Sequence, residues 1–202
     1  ASTLQVSTLG TVSCNFMFVG NSTNSVDGRL VIGGTEFGAA AIGGAVNASG
    51  GITLETAGSK LIFNTVDNRV FGSRISDIGS VEIKGTASVR LDNPGNNYTG
   101  ATTVFSGILQ AGNAGALSAS SAFTVSSGAR LDLFGYNNTI KSLSGAGIVE
   151  NTDAGFSSDL TVGSGSFSGA IQNPGAAAVN LVKTSAGTLF LTGNGNSYTG
   201  TT

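Results

Sequence analysis

Histidine is absent from this 202-residue chain, and cysteine occurs once, at Cys14. A nucleophile needs a base beside it, so Ser-His-Asp and Cys-His catalysis are excluded, together with thiolate clusters and histidine-bearing zinc sites. Carboxylate chemistry remains. Glycoside hydrolysis requires two carboxyl groups flanking one bond, and Asp27 with Glu36, Asp132 with Glu150, and Glu150 with Asp153 are the pairs to weigh. Eleven acids scattered along the chain produce such pairs by chance, and no enzymatic activity is expected. A lyase would want Arg or Lys beside carboxylates; only Arg69 and Arg74, near Asp67 and Asp77, come close, and they read as a solvated turn. The glycine loop "VIGGTEFG" lacks the lysine and helix start of a phosphate cradle, and no calcium-binding nonapeptide repeat is present. No cofactor and no metal are expected.

The elements that would position any site are short strands. Segments such as "ARLDLFG", "SDLTVGS" and "GTLFLTG" alternate apolar and polar residues between clusters of Gly, Asn and Ser, which is the pattern of strands and turns. Nothing reads as a helix of useful length. Within "VSCNFMFVG", Cys14 shares parity with Val12, Phe16 and Phe18 and reads as a small core hydrophobe. Charged residues are only 10% of the chain, net charge is −2, hydrophobic residues are 40%, and glycine reaches 32. That composition buries a core and is not that of a disordered chain. It leaves no basic footprint, so nucleic acid is not an expected partner. The uncharged run from Phe37 to Leu54 has the length of a membrane span but too many Gly, Asn, Ser and Thr residues, and no span is expected.

A phrase recurs. At an offset of 100 residues, Leu91, Gly95, Asn96, Tyr98, Thr99 and Gly100 match Leu191, Gly195, Asn196, Tyr198, Thr199 and Gly200, and Val89 matches Leu189. Alternation puts residues 89 and 91 (189 and 191) inward and residue 90 or 190 outward. Phe190, which stands where the first copy has Arg90, is thereby a candidate surface contact. Asn96 and Tyr98 with their counterparts admit two readings: a sugar platform, or a turn whose Tyr covers the neighbouring coil; the second is preferred on turn chemistry. A finer beat, marked by Gly85, Gly107, Gly128, Gly147, Gly169 and Gly187, has a mean near 20 residues, so the 100-residue offset reads as about five units. A period of that size belongs to a stacking solenoid rather than a sandwich.

The run "LVKTSAGTLFLTGNGNSYTGTT" (181–202) resembles the autotransporter-associated β-strand repeat, also called the passenger-associated transport repeat. Lys183, Gly187, Thr188, Leu189, Leu191, Gly193, Asn196, Tyr198, Thr199, Gly200, Thr201 and Thr202 fit its pattern, while Ser185 stands where glycine is common. The resemblance extends over about residues 85–202; the first copy departs from it at Arg90, Asp92 and Pro94. It implies an all-β, right-handed parallel β-helix of about ten coils of roughly 20 residues. Residues 1–202 read as a single passenger segment, less regular over 1–84 and regular over 85–202, and as a piece of a longer protein. The resemblance further implies a Gram-negative type V secretion passenger, displayed or released outside the cell, with an outer-membrane barrel of the same polypeptide beyond this segment. Its function would be structural, as a stalk that folds outside the cell and assists its own export. Alternatively it would be an adhesin that binds glycans, host protein or its own copies.

Overall fold

The computed structural model describes residues 1–8, 10–175 and 177–202. Among them every regular element is a strand. The first ten are β1 (Ser2–Val6), β2 (Thr11–Val19), β3 (Gly28–Gly33), β4 (Ala45–Leu54), β5 (Lys60–Asn64), β6 (Arg69–Phe71), β7 (Ile75–Asp77), β8 (Ser80–Ile83), β9 (Ser88–Leu91) and β10 (Thr102–Val104). There follow β11 (Ile108–Ala111), β12 (Ala122–Val125), β13 (Arg130–Asp132), β14 (Asn138–Gly145), β15 (Ile148–Glu150), β16 (Ser158–Phe167), β17 (Ala170–Gln172), β18 (Val179–Lys183) and β19 (Leu189–Leu191).

All ladders between these strands are parallel. Parallel neighbours cannot be joined by a hairpin, so each strand's partner lies one full circuit of the chain away. The long sheet runs β1-β3-β5-β8-β10-β12-β14-β16-β18, with β19 also against β16; a second sheet runs β6-β9-β11-β13-β15-β17, and a third β2-β4-β7. The chain is therefore a parallel β-solenoid, as its period predicts. Over the described residues it makes about nine turns, close to the ten expected, the first circuits being long: Ser2 pairs with Gly28, and Arg29 with Lys60. From β5 onward most steps tighten to 20–22 residues, as in Lys60 with Ser80, Val81 with Thr102, Thr102 with Phe123, and Asn138 with Leu160, with extremes of 18 at Arg130 with Ile148 and 24 at Gly165 with Leu189.

Alternation decides what each rung buries. In β9 Val89 and Leu91 point into the core while Ser88 and Arg90 face out, and β11 repeats this with Leu109 and Ala111. Stacked rung on rung, these residues join one continuous core running from Val6 to Leu181. No single coil could bury such a face alone.

The corner between the long and second sheets explains most of the glycine beat; Gly128 has nothing within 4 Å of an added Cβ and is favoured instead by its φ of 83°. A Cβ on Gly107, Gly147 or Gly169 would press into backbone oxygen of the rung below, at 2.6 Å from Gly85, 2.4 Å from Ser126 and 1.9 Å from Gly147 respectively. The column ends at Gly193, whose Cβ would lie 1.9 Å from the Gly169 oxygen, and not at Gly187. From Gly85 to Gly193 the chain takes 108 residues for five turns. An offset of 100 residues thus falls roughly a third of a turn short of five units, and the two copies of the repeat lie on different faces: Val89 and Leu91 in the second sheet, Leu189 and Leu191 against Gly165 and Phe167 of the long one.

One strand corrects the parity expected from sequence. The β2–β4 register shifts between Cys14 and Phe16. A bulge of this kind resets which side chains face inward. Val12, Cys14 and Met17 pack against the core, whereas Phe16 (55%) and Phe18 (63%) are exposed.

Candidate functional site

In the first copy, the turn residues work between rungs. Asn96 accepts a hydrogen bond from the backbone N–H of Ile75 at 2.8 Å and donates from Nδ2 to the carbonyl of Ala116 at 2.8 Å. It replaces backbone pairing on a face where the chain turns and has no strand of its own. Asn138 does the same for the N–H of Leu117, at 3.0 Å. Gly95 accepts Arg74 Nε at 2.9 Å, and Gly100 packs against the Gly79 carbonyl. Asn93, outside the shared set, fastens the turn by accepting the Gly95 N–H at 2.9 Å.

Tyr98 has no exposed surface. Its hydroxyl shares a 2.7 Å hydrogen bond with Thr102 Oγ1, which shares one of 2.8 Å with Ser121 Oγ; Ser121 donates to the Gly100 carbonyl at 2.7 Å. Thr99 donates its N–H to the Asp77 carbonyl at 2.7 Å. Burial pushes the Tyr98 phenol up to about 12, against the opposing hydrogen bonds of Thr102 and Ser121. No face of this ring is free to stack on a sugar.

The second copy keeps the local bonds with less cover. Tyr198 shares a 2.6 Å hydrogen bond with Thr202 Oγ1, and Asn196 accepts the Ile171 N–H at 2.9 Å and donates to Gly193 O at 3.0 Å. Thr199 donates its N–H to Asn173 Oδ1 at 2.8 Å. Gly195 and Gly200 approach Ala170 and the Val179 carbonyl. Leu189 and Leu191 are half-buried, and Phe190 between them is 60% exposed.

The carboxylates considered for chemistry are mostly structural. Asp27 accepts the Thr56 hydroxyl at 2.7 Å, and Glu36 belongs to a separate ionic group. Asp153 accepts the N–H groups of Gly155 and Phe156, both at 2.8 Å. Arg69 pairs with Asp67 at 2.8 Å, but Arg74 reaches Gly95 and Asn97 rather than Asp77. Asp132 and Glu150 are brought together, in register on β13 and β15. Both face outward yet are only 2% and 1% exposed. Their oxygens are occupied: Asp132 by the Thr152 hydroxyl at 2.7 Å and Gln110 Nε2 at 2.9 Å, Glu150 by Arg130 at 2.9 Å and Gln172 at 3.0 Å.

Sequence reasoning missed a second feature. The loop after β3 lies across the long sheet and carries Glu36 to Arg29 Nε at 2.7 Å and Lys60 at 3.7 Å; Lys60 and Lys84 in turn hold Glu82 at 2.7 and 2.9 Å. Lys84 also donates to the Glu36 carbonyl at 3.1 Å and sits 5.2 and 5.3 Å from the rings of Phe37 and Phe105. Beneath this strap Val31 and Ile62, which face outward by alternation, are fully buried. Burial works to raise the Glu82 pKa, but the hydrogen bonds from Lys60 and Lys84 outweigh it and hold the carboxyl below its ordinary range.

Over 191 residues, 91% of its length, the chain is 32% identical to the protein named Adhesin BmaC autotransporter of Brucella suis biovar 1 (strain 1330). It is similar to an autotransporter adhesin. The chain spans 5% of that relative's length. No family model matches the chain, and no solved structure matches it significantly.

Among the described residues no group of three His, Cys, Asp or Glu side chains is placed to hold a metal ion, and no helix is long and apolar enough to cross a membrane. Along the outer face of the second sheet runs a groove of about 390 Å³, lined by Val70, Ser88, Arg90, Ile108, Gln110 and the ladder that ends on Glu150. The alternation of β9 and β11 put Arg90 and Gln110 outward, but sequence alone did not show that six strands would stack them into one column.

Proposed function

We propose that the chain is a passenger segment of a Gram-negative autotransporter, a β-solenoid stalk displayed at or released from the cell surface, which folds outside the cell and assists its own export. The similarity to an autotransporter adhesin over nearly the whole chain carries this reading, and the all-parallel ladder supplies its physics. Each completed rung offers a full row of backbone donors and acceptors together with an apolar strip, so the next rung adds with little further ordering. Rung-by-rung folding on the outer side opposes backsliding and needs no nucleotide. An outer-membrane barrel belongs to the same polypeptide in this proposal, and residues 1–202 act as one body. The test is surface display of a Leu189→Asp, Leu191→Asp variant in its native secretion context. Display and protease resistance should fall; a variant displayed and protected like the parent would sink the proposal.

A second reading is favoured by the relative's printed name: the segment is itself adhesive, towards glycans, host protein or its own copies. Attachment of the purified chain to host cells, or its self-association, tests this. Loss of either on Phe190→Ser with an unchanged melting curve would place the contact at Phe190, whose ring is 60% exposed.

A further inference from the structure

The groove on the second sheet is unexplained by folding alone. One outward residue per rung forms its axis: Val70, Arg90, Gln110, Asp132 and Glu150, each in register with the next. At about 4.8 Å per rung this column is roughly 19 Å long and parallel to the rod axis. A linear polymer matches that shape better than a compact ligand.

The chemistry narrows the class. Of the lining residues, Arg69 and Arg90 are balanced by Asp132 and Glu150, and none is aromatic. Equal numbers of cations and anions give no attraction for a polyanion, and the lining residues lack the aromatic anchors that dominate protein–protein hot spots; Phe134, 5.8 Å from the Arg90 guanidinium, stands outside them. The two carboxylates are fully occupied and form a rigid floor. Above it, Gln110 gives one N–H to Asp132 and keeps its amide carbonyl, and Arg90 is braced by Asp92 at 3.1 Å and Gly112 at 3.4 Å with guanidinium N–H groups to spare. Fixed donors and acceptors thus lie beside two apolar surfaces, Val70, 68% exposed at one end of the column, and Ile108 in the neighbouring row. Hydroxyls spaced along a backbone with apolar C–H faces between them complement that arrangement.

We propose that this groove binds an extended, uncharged glycan chain laid along the rod axis; the proposal rests on the adhesive reading above and assigns it a site distinct from Phe190. The experiment is calorimetric titration of the 202-residue chain with neutral hexasaccharides of β-1,4-linked glucose, α-1,4-linked glucose and mannose, with a heparin hexasaccharide as the polyanion. Saturable binding of at least one neutral hexasaccharide is expected. Ser88→Trp, which fills the groove from an outward strand position, should weaken that binding at least tenfold; Gln110→Ala, which removes one ligand hydrogen bond, should weaken it by up to about tenfold. If the tryptophan disturbs the sheet, as judged by circular dichroism, Gln110→Ala provides the same readout. The proposal is overturned by binding of no neutral hexasaccharide, by preference for heparin, or by affinity unchanged in the folded variants. Host-cell attachment separates the two levels: attachment retained in Ser88→Trp removes the groove and leaves the adhesive reading standing, whereas no attachment by the parent chain removes the adhesive reading itself.

Discussion

Asn96 shows how one side chain replaces a strand. Its amide takes a backbone N–H from the rung below and gives one to a carbonyl of the rung above, both buried. Asn96→Ala would leave two buried backbone groups unpaired, at about 1–3 kcal/mol each, so a loss of roughly 2–6 kcal/mol is expected in urea unfolding. Tyr98 makes a second prediction through pH. Its folded pKa is raised to about 12 from 10.0; the unfolded chain therefore ionises first, and the stability that Tyr98 contributes is intact below pH 10 and lost as pH rises from there through the folded value. Melting temperature should fall over that window, and the fall should be smaller in Tyr98→Phe, which itself costs about 1–2 kcal/mol at neutral pH by stranding Thr102. The turn chemistry of "NPGNNYTG" was legible in the sequence. The bonds that Asn96 and Asn138 make between rungs were not, because they join residues 20 or more positions apart and depend on the register of coils that local pattern does not fix.

At the scale of elements, the strap and the bulge are the two departures from simple alternation. The strap left a trace in the sequence: "RLVI" and "KLIF" are apolar at both parities, whereas later strands alternate, and a strand apolar on both sides is covered on both sides. What covers it was not legible, since Glu36 meets its partners only when a long circuit folds back over the sheet. The ionic group gives the prediction. Because the Glu82 pKa is depressed, its contribution is present above the unfolded carboxylate range and is lost as pH falls through the folded value. Acid scans between pH 7 and 2.5 should show the parent losing melting temperature more steeply than Glu82→Gln, and the variant should be about 1–2 kcal/mol less stable at pH 7. The register shift between β2 and β4 was invisible to parity counting: β4 steps three positions from Ala48 to Gly51 where β2 steps two from Cys14 to Phe16, and a single extra residue leaves no compositional mark.

For the molecule as a whole, contacts run almost entirely between neighbouring rungs, so stability is nearly a sum along one dimension. Leu109→Asp, a buried charge in the middle of the regular rungs, should cost at least 3 kcal/mol and open its neighbours with it; limited proteolysis should then cut first around β9–β13 while the strapped rungs resist. The solenoid was legible in the sequence because the corner glycines beat once per circuit, and at Gly85, Gly107, Gly147 and Gly169 that beat is a steric requirement of one rung against the next. The angular position of the repeats was not, because a third of a turn accumulates from steps whose mean exceeds 20 by only one or two residues. That small mismatch bears on how such proteins change over generations. The same phrase sets Arg90 over the groove and Phe190 on the long sheet. Gene duplication of a fixed-length piece would therefore carry the core across intact while swinging its decoration to a new bearing. New surfaces would then arise by rotation, with no residue altered.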